Sequence, residues 1–163
     1  MTLFLSIITS LVNFNIALSS SNSQDNRKIV KEMFREYQKE FQDVPILETK
    51  KVTKDWIIVD ARQEEEQMVS MIPRAISKSK FEELNFNKAG TKIAVYCTIG
   101  YRSGQYATQL RAKGYDAYNL EGSILGWIHD GGKLVDRYGK EVKKIHVYGE
   151  KWNFPPKDYK TVF

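Results

Sequence analysis

With 163 residues, 42% of them hydrophobic and 28% charged, the chain has the size and composition of one folded domain with extensions at its ends. Its net charge of +5 comes from bases interspersed with acids, which argues against a nucleic-acid partner. A single cysteine excludes an internal disulfide and a multi-cysteine zinc site, and His129 and His146 lack metal-ligand spacing, so no metal and no cofactor are expected.

The first 24 residues carry no charge; Thr2 to Leu18 is largely apolar and Ser19 to Gln24 is a polar spacer. This pattern resembles a secretory signal peptide with small residues at Ala17-Leu18-Ser19, although no Lys or Arg precedes the run and Asn13 and Asn15 interrupt it. The expectation is export to a periplasmic or extracytoplasmic compartment, with the leader cleaved or kept as an anchor. A cytoplasmic protein with a loose leader is the alternative. No membrane association beyond such an anchor is expected.

Residues 25–43 follow as an amphipathic helix, roughly Gln24 to Phe41. Ile29, Met33, Tyr37 and Phe41 form an apolar stripe, widened by Val30 and Phe34, that is expected to dock on the domain. Pro45 should end it. From Trp56 onward short apolar strands alternate with helices: strand Trp56–Asp60, helix Gln63–Met68, strand Ala75–Ile76, helical turn Lys80–Leu84, strand Lys92–Tyr96, helix Gly104–Lys113, strand Ala117–Leu120 and helix Ser123–Ile128. That alternation predicts an α/β domain with a mainly parallel central sheet flanked by helices, over residues 44–132. The remainder, 133–163, reads as a β-hairpin turning at Arg137-Tyr-Gly-Lys140, then a tail whose Trp152, Phe154 and Tyr159 pack back on the domain. It holds eight Lys or Arg against four Asp or Glu, read as a solvated basic surface.

Chemistry concentrates at Cys97. The apolar strand Ile93 to Tyr96 delivers this cysteine into a turn that Arg102 closes, and a helix follows. A thiol between a strand end and a helix start faces backbone N–H groups and the positive end of a helix dipole, which favours an anion on sulfur and makes it nucleophilic. Gly100 relieves the curl that turns several amides toward one spot. The six-residue loop Cys97 to Arg102 has room for a sulfur bound to Sγ; one more residue would widen it toward a phosphate.

These segments together resemble a single-domain rhodanese, across roughly Val44 to Gly132. Ile58-Val-Asp-Ala-Arg62 with Glu64-Glu-Glu66 is similar to the family's Asp-x-Arg strand end, and Ile72-Pro-Arg-Ala-Ile76 to its Ile-Pro-Gly-Ala segment. Tyr96 to Gly104 is similar to the active loop, and Tyr118-Asn-Leu-Glu-Gly122 with Trp127 to the closing element. Ser70-Met71 departs from the usual Gly-His, and Arg74 stands where the family has glycine. The resemblance implies a sulfurtransferase that moves a sulfane sulfur from thiosulfate or a persulfide donor, through a Cys97 persulfide, to a thiol or cyanide acceptor or a protein acceptor. Cys97 is then catalytic, and Thr98, Ile99, Gly100, Tyr101, Arg102 and Ser103 bind substrate. Arg102 either ties the loop or contacts anionic donor oxygens. Asp60 and Arg62 are structural support, and Glu66 is a surface or bracing residue rather than a base. Ile99 and Tyr101 make the loop less basic than one tuned for small inorganic anions, which favours a larger or thiol-bearing partner. A non-turnover sulfur carrier or binding module, and a phosphatase of the related fold, are the other readings.

Overall fold

The computed structural model describes residues 25–163, so the leader and its signal-peptide reading lie outside the described residues. A first helix, α1, is seen over residues 25–38. The body is a five-stranded, wholly parallel sheet of β1 (Ile46–Leu47), β2 (Ile57–Asp60), β3 (Ile76–Ser77), β4 (Lys92–Tyr96) and β5 (Asp116–Leu120). Their spatial order is β1-β5-β4-β2-β3. Helices α2 (Glu64–Val69), α3 (Lys78–Leu84), α4 (Tyr101–Ala112) and α5 (Ser123–His129) form the connections and flanks. This is the α/β architecture that the alternating sequence pattern predicts.

Period-two alternation divides the core between the two faces of the sheet. Ile93, Val95 and Val59 meet Phe81 of α3 and Tyr106, Ala107 and Leu110 of α4 on one side. On the other, Ala94, Tyr96 and Ile58 meet Val30 and Phe34 of α1 and Ile124, Leu125 and Ile128 of α5. The centre of the α1 face is therefore Val30 and Phe34, each 1% exposed, with Met33 and Tyr37 on its flank rather than at its middle. The helix also stops at residue 38, ahead of the expected Phe41. The Gln38 side chain reaches forward and donates to the carbonyls of Phe41 and Val44, which ties the exit loop to the end of α1.

The expected hairpin forms between β6 (Leu134–Val135) and β7 (Glu141–Val142). Beyond it the tail does more than pack its rings back on the domain. β8 (Lys144–His146) leaves β7 and pairs in parallel with β9 (Lys160–Val162) near the end of the tail. The loop between β8 and β9 carries Trp152, Phe154 and Tyr159 onto the face that holds α1. His129 Nε2 meets the Phe154 carbonyl at 2.7 Å, and the Asn26 side chain donates to the Pro155 carbonyl. Both ends of the described chain thus cover one face of the sheet.

Strand connections diverge between β2, which leads outward to β3, and β4, which leads outward to β5. A crevice opens at the carboxyl ends of strands at such a reversal. The residue immediately after β4 is Cys97.

Candidate active site

Cys97 is buried, 2% exposed, at the floor of a cavity of about 300 Å³. The loop from Cys97 leads directly into α4, whose first turn is entered through Gly100 at φ 149°, a backbone state that side chains rarely adopt. A methyl group at Gly100 would also stand 2.4 Å from the Phe34 ring of α1. The loop is fastened from the other side by α5: the N–H groups of Ile124 and Leu125 donate to the carbonyls of Cys97 and Thr98. Helix-start donors that would otherwise lack partners are satisfied by the loop itself.

The sulfur lies within reach of three polar groups. The Gly100 N–H donates to Sγ at 3.2 Å, and the hydroxyls of Ser103 and Ser123 lie at 3.4 and 3.8 Å. The cradle is thus one amide supplemented by hydroxyls, where the sequence suggested several successive amides around Sγ. Ser123 also accepts from the Cys97 N–H, and it holds a left-handed backbone at φ 53° to do so. Behind these groups runs a buried chain of hydrogen bonds. Ser103 donates to Asn119 Oδ1 at 2.7 Å, and the Asn119 amide donates to the Gly100 carbonyl and to Gln38 Oε1. A serine hydroxyl has one proton. With that of Ser103 given to Asn119, Ser103 Oγ can accept from the thiol, while Ser123 remains able to donate to a sulfur anion.

Arg102 closes the loop by a bidentate pair with Glu66, its Nη2 at 2.8 Å from Oε1 and its Nη1 on Oε2; Nη2 also donates to Thr98 Oγ1. Burial by itself would push the Glu66 carboxyl up, but the hydrogen bonds and charge of Arg102, helped by the Gln63 N–H and Arg62, hold it below the usual carboxylate range. The bracing role expected for Glu66 is what its contacts show, although it is buried rather than on the surface.

Of the residues singled out in the sequence, Cys97, Thr98, Ile99, Gly100, Tyr101 and Arg102 line the cavity. Ser103 does not: it is fully buried beneath the sulfur and points at β5, because it already lies within α4. Asp60 and Arg62 stand apart from the cavity as a buried fork, Arg62 Nη2 to Asp60 Oδ2 at 2.7 Å. Tyr96 Oη donates to the same carboxylate, and Arg62 also holds the Ser70 carbonyl. The remaining cavity walls are Tyr37 of α1 and Tyr148 and Trp152 of the tail. Sequence reasoning missed these, along with Ser123, Asn119 and Gln38. Asn119 alone gave a signal, as a polar residue between Tyr118 and Leu120 within a strand. No cluster of three or more His, Cys, Asp or Glu suited to a metal, and no helix long and apolar enough to cross a membrane, occurs among the described residues.

The cysteine loop at the sheet's reversal point, with its arginine tied to an acidic helix after an Asp-x-Arg strand end, sits inside a match to the rhodanese-like domain family that runs over residues 43–130, more than half of the chain. The protein belongs to the rhodanese-like domain family. A tRNA sulfurtransferase of Desulfurococcus amylolyticus is 37% identical over 70 residues, which are 43% of this chain and 14% of that protein. The chain therefore spans only a small part of that relative. A thiosulfate sulfurtransferase of Pseudomonas aeruginosa shares the fold at a TM-score of 0.53 and 22% identity, with 68% of this chain and 23% of that one covered. A rhodanese-like domain protein of Staphylococcus aureus matches at 30% identity and a TM-score of 0.49, over 58% of this chain and 99% of its own. Family membership covers the sheet, the loop and α5. Tyr37, Tyr148 and Trp152 lie beyond the matched residues on either side.

Proposed function

We propose that this rhodanese-like domain is a sulfurtransferase whose Cys97 accepts a sulfane sulfur as a persulfide and passes it to a thiophilic acceptor. The observation that carries the reading is the position of Sγ, at the floor of a cavity, under the Gly100 N–H and at the entrance to a twelve-residue helix. The cysteine thiolate attacks the outer sulfur of the donor, the donor's former partner leaves with the bonding pair, and the sulfur stays on Cys97. An acceptor thiolate or cyanide then attacks that outer sulfur and releases Cys97 as thiolate. Each charge-assisted hydrogen bond to the sulfur anion contributes about 1.5–3 kcal/mol. No general base is required by this sequence of steps, consistent with a Glu66 committed to Arg102.

Burial of Cys97 to 2% exposure also favours a second reading, a carrier that keeps its persulfide until a dedicated partner opens the site. Intact mass after incubation with a sulfane donor tests both. Wild-type protein should gain one sulfur atom, and Cys97→Ser none. Rapid loss of that sulfur to cyanide, with repeated turnover, marks the enzyme; a stable adduct that cyanide does not discharge marks the carrier. Failure of every donor to load a free, alkylatable Cys97 would overturn both.

A further inference from the structure

The walls of the cavity are more specific than its floor. Tyr37, Tyr101, Tyr148 and Trp152 bring four aromatic rings around the mouth above Cys97. They are fixed relative to one another: Trp152 Nε1 donates to Tyr37 Oη at 3.2 Å, Tyr148 meets Trp152 edge-on at 5.3 Å, and Tyr37 meets Tyr101 edge-on at 5.6 Å. Rings held in this way lose little freedom when a ligand arrives. Among the described residues that line the cavity, Arg102 is the one charged group. Its charge is offset in part, since both carboxylate oxygens of Glu66 hold it from below and the Tyr148 ring covers it at 4.7 Å. Lys151 is exposed beside the Trp152 ring and is outside the lining. A dianion entering this space would shed water and meet only a cation already paired with Glu66, which compensates it poorly. An apolar or aromatic group would gain contact with every wall.

Resting on the sulfur-transfer reading above, we infer that the natural sulfur partner is an organic molecule, a sulfane sulfur carried on an aromatic or apolar group, with Tyr37, Tyr148 and Trp152 as the residues that select it over thiosulfate. The step balances without an outside oxidant. For a thiosulfonate, the Cys97 thiolate forms a bond to the terminal sulfur of R–SO2–S⁻ as the sulfur–sulfur bond to the sulfonyl group breaks. R–SO2⁻ then leaves with the electron pair, and Cys97–S–S⁻ remains. For an organic persulfide the leaving group is R–S⁻ and the product on the protein is the same. The transferred atom moves at the sulfane oxidation level, so cysteine gains what the donor loses.

Benzenethiosulfonate and methanethiosulfonate carry the same charge and reacting group and differ in the ring, so they isolate the wall contribution. The measurement is cyanide-coupled turnover of the full chain with each, with every rate divided by that donor's rate with a free thiol in solution. The expected ratio of kcat/KM, benzene over methane, is about tenfold or more in the wild type, the size of discrimination an apolar pocket gives for a group it fills. It should drop to about threefold or less in Trp152→Ala and in Tyr148→Ala, two independent removals of wall area. Thiosulfate should be the poorest donor of the three. A wild-type ratio near one, or a ratio that both variants leave intact, overturns the inference and leaves sulfur transfer standing. Absence of loading from all three donors overturns sulfur transfer and this inference together.

Discussion

Arg62 with Asp60 and Arg102 with Glu66 are both forked arginine–carboxylate pairs, but they occupy different surroundings. The first pair shows 0% side-chain exposure on either partner, whereas Arg102 keeps 27% exposure above a Glu66 at 2%. The first fork is woven into the main chain. Arg62 holds the Ser70 carbonyl, Tyr96 donates to Asp60 Oδ2, and the Ile72 N–H donates to Tyr96 Oη, so β2, β4 and the segment before β3 share one network. Burial would push the Tyr96 hydroxyl up, and the Asp60 charge pushes the same way, so it remains a donor at any ordinary pH. The second fork joins α2 to the cysteine loop and touches the cavity. One pair secures the sheet, and the other positions the loop against it.

Removing a partner from the buried pair should have the largest effect. Arg62→Ala leaves Asp60 charged and uncompensated, at a cost of about 3–5 kcal/mol. Chemical denaturation should show that loss, and a variant within about 1 kcal/mol of the wild type would break the distinction between the two pairs.

Glu66→Gln should separate stability from activity. Stability should drop by about 1–3 kcal/mol, because Arg102 loses its charged partner but keeps access to the cavity. The rate of sulfur loading onto Cys97 should fall by about tenfold or more as the loop loosens. Acid titration sharpens the point. The Glu66 carboxyl is held below its ordinary value of 4.5, so the folded state binds fewer protons there than the unfolded state. The pair's contribution is complete above that value and is lost as pH falls through the lowered folded one. The acid limb of a stability-versus-pH curve should therefore be shallower in Glu66→Gln than in wild type.

Arg74 serves as a control outside both pairs, and its change should be the smallest. It holds φ 66°, a left-handed state, at the position where the family resemblance expects glycine. Its side chain compensates in part by donating to the carbonyls of Lys54 and Thr53. Arg74→Gly relieves about 1 kcal/mol of backbone strain and gives up two exposed hydrogen bonds, so a melting temperature within a few degrees of wild type is expected.

The features legible in the sequence are those with local causes. Alternation along Ile93 to Tyr96 marks a buried strand, and the Cys97 to Arg102 spacing with Gly100 marks the loop, because strand and turn preferences are decided by near neighbours. Ser123, Asn119 and Gln38 are not legible, since their roles depend on residues far away in the chain: Gln38 and Asn119 meet across 81 positions. Tyr37 is legible as part of an apolar stripe, but helical spacing cannot say whether a ring on that stripe enters the core or overlooks a cavity. The pairing of β8 with β9 escapes for a similar reason. Two three-residue strands joined by a long aromatic loop carry no turn signal that would announce a parallel ladder.

Gly104 illustrates how closely the added segments are fitted. It sits inside α4, where glycine is a poor helix former by about 1 kcal/mol relative to alanine. A methyl group there would stand 2.3 Å from the Phe41 ring. The helix that carries the cysteine loop thus gives up some intrinsic stability so that an aromatic ring from outside the recognisable family region can lie against it. On the inference above, partner choice rests largely on the flanking stretches, which are packed into the loop and helix that hold the cysteine. On that inference, exchanging the flanking stretches between relatives would change what the cavity accepts only where the glycines fitted to them, Gly100 and Gly104, are exchanged as well.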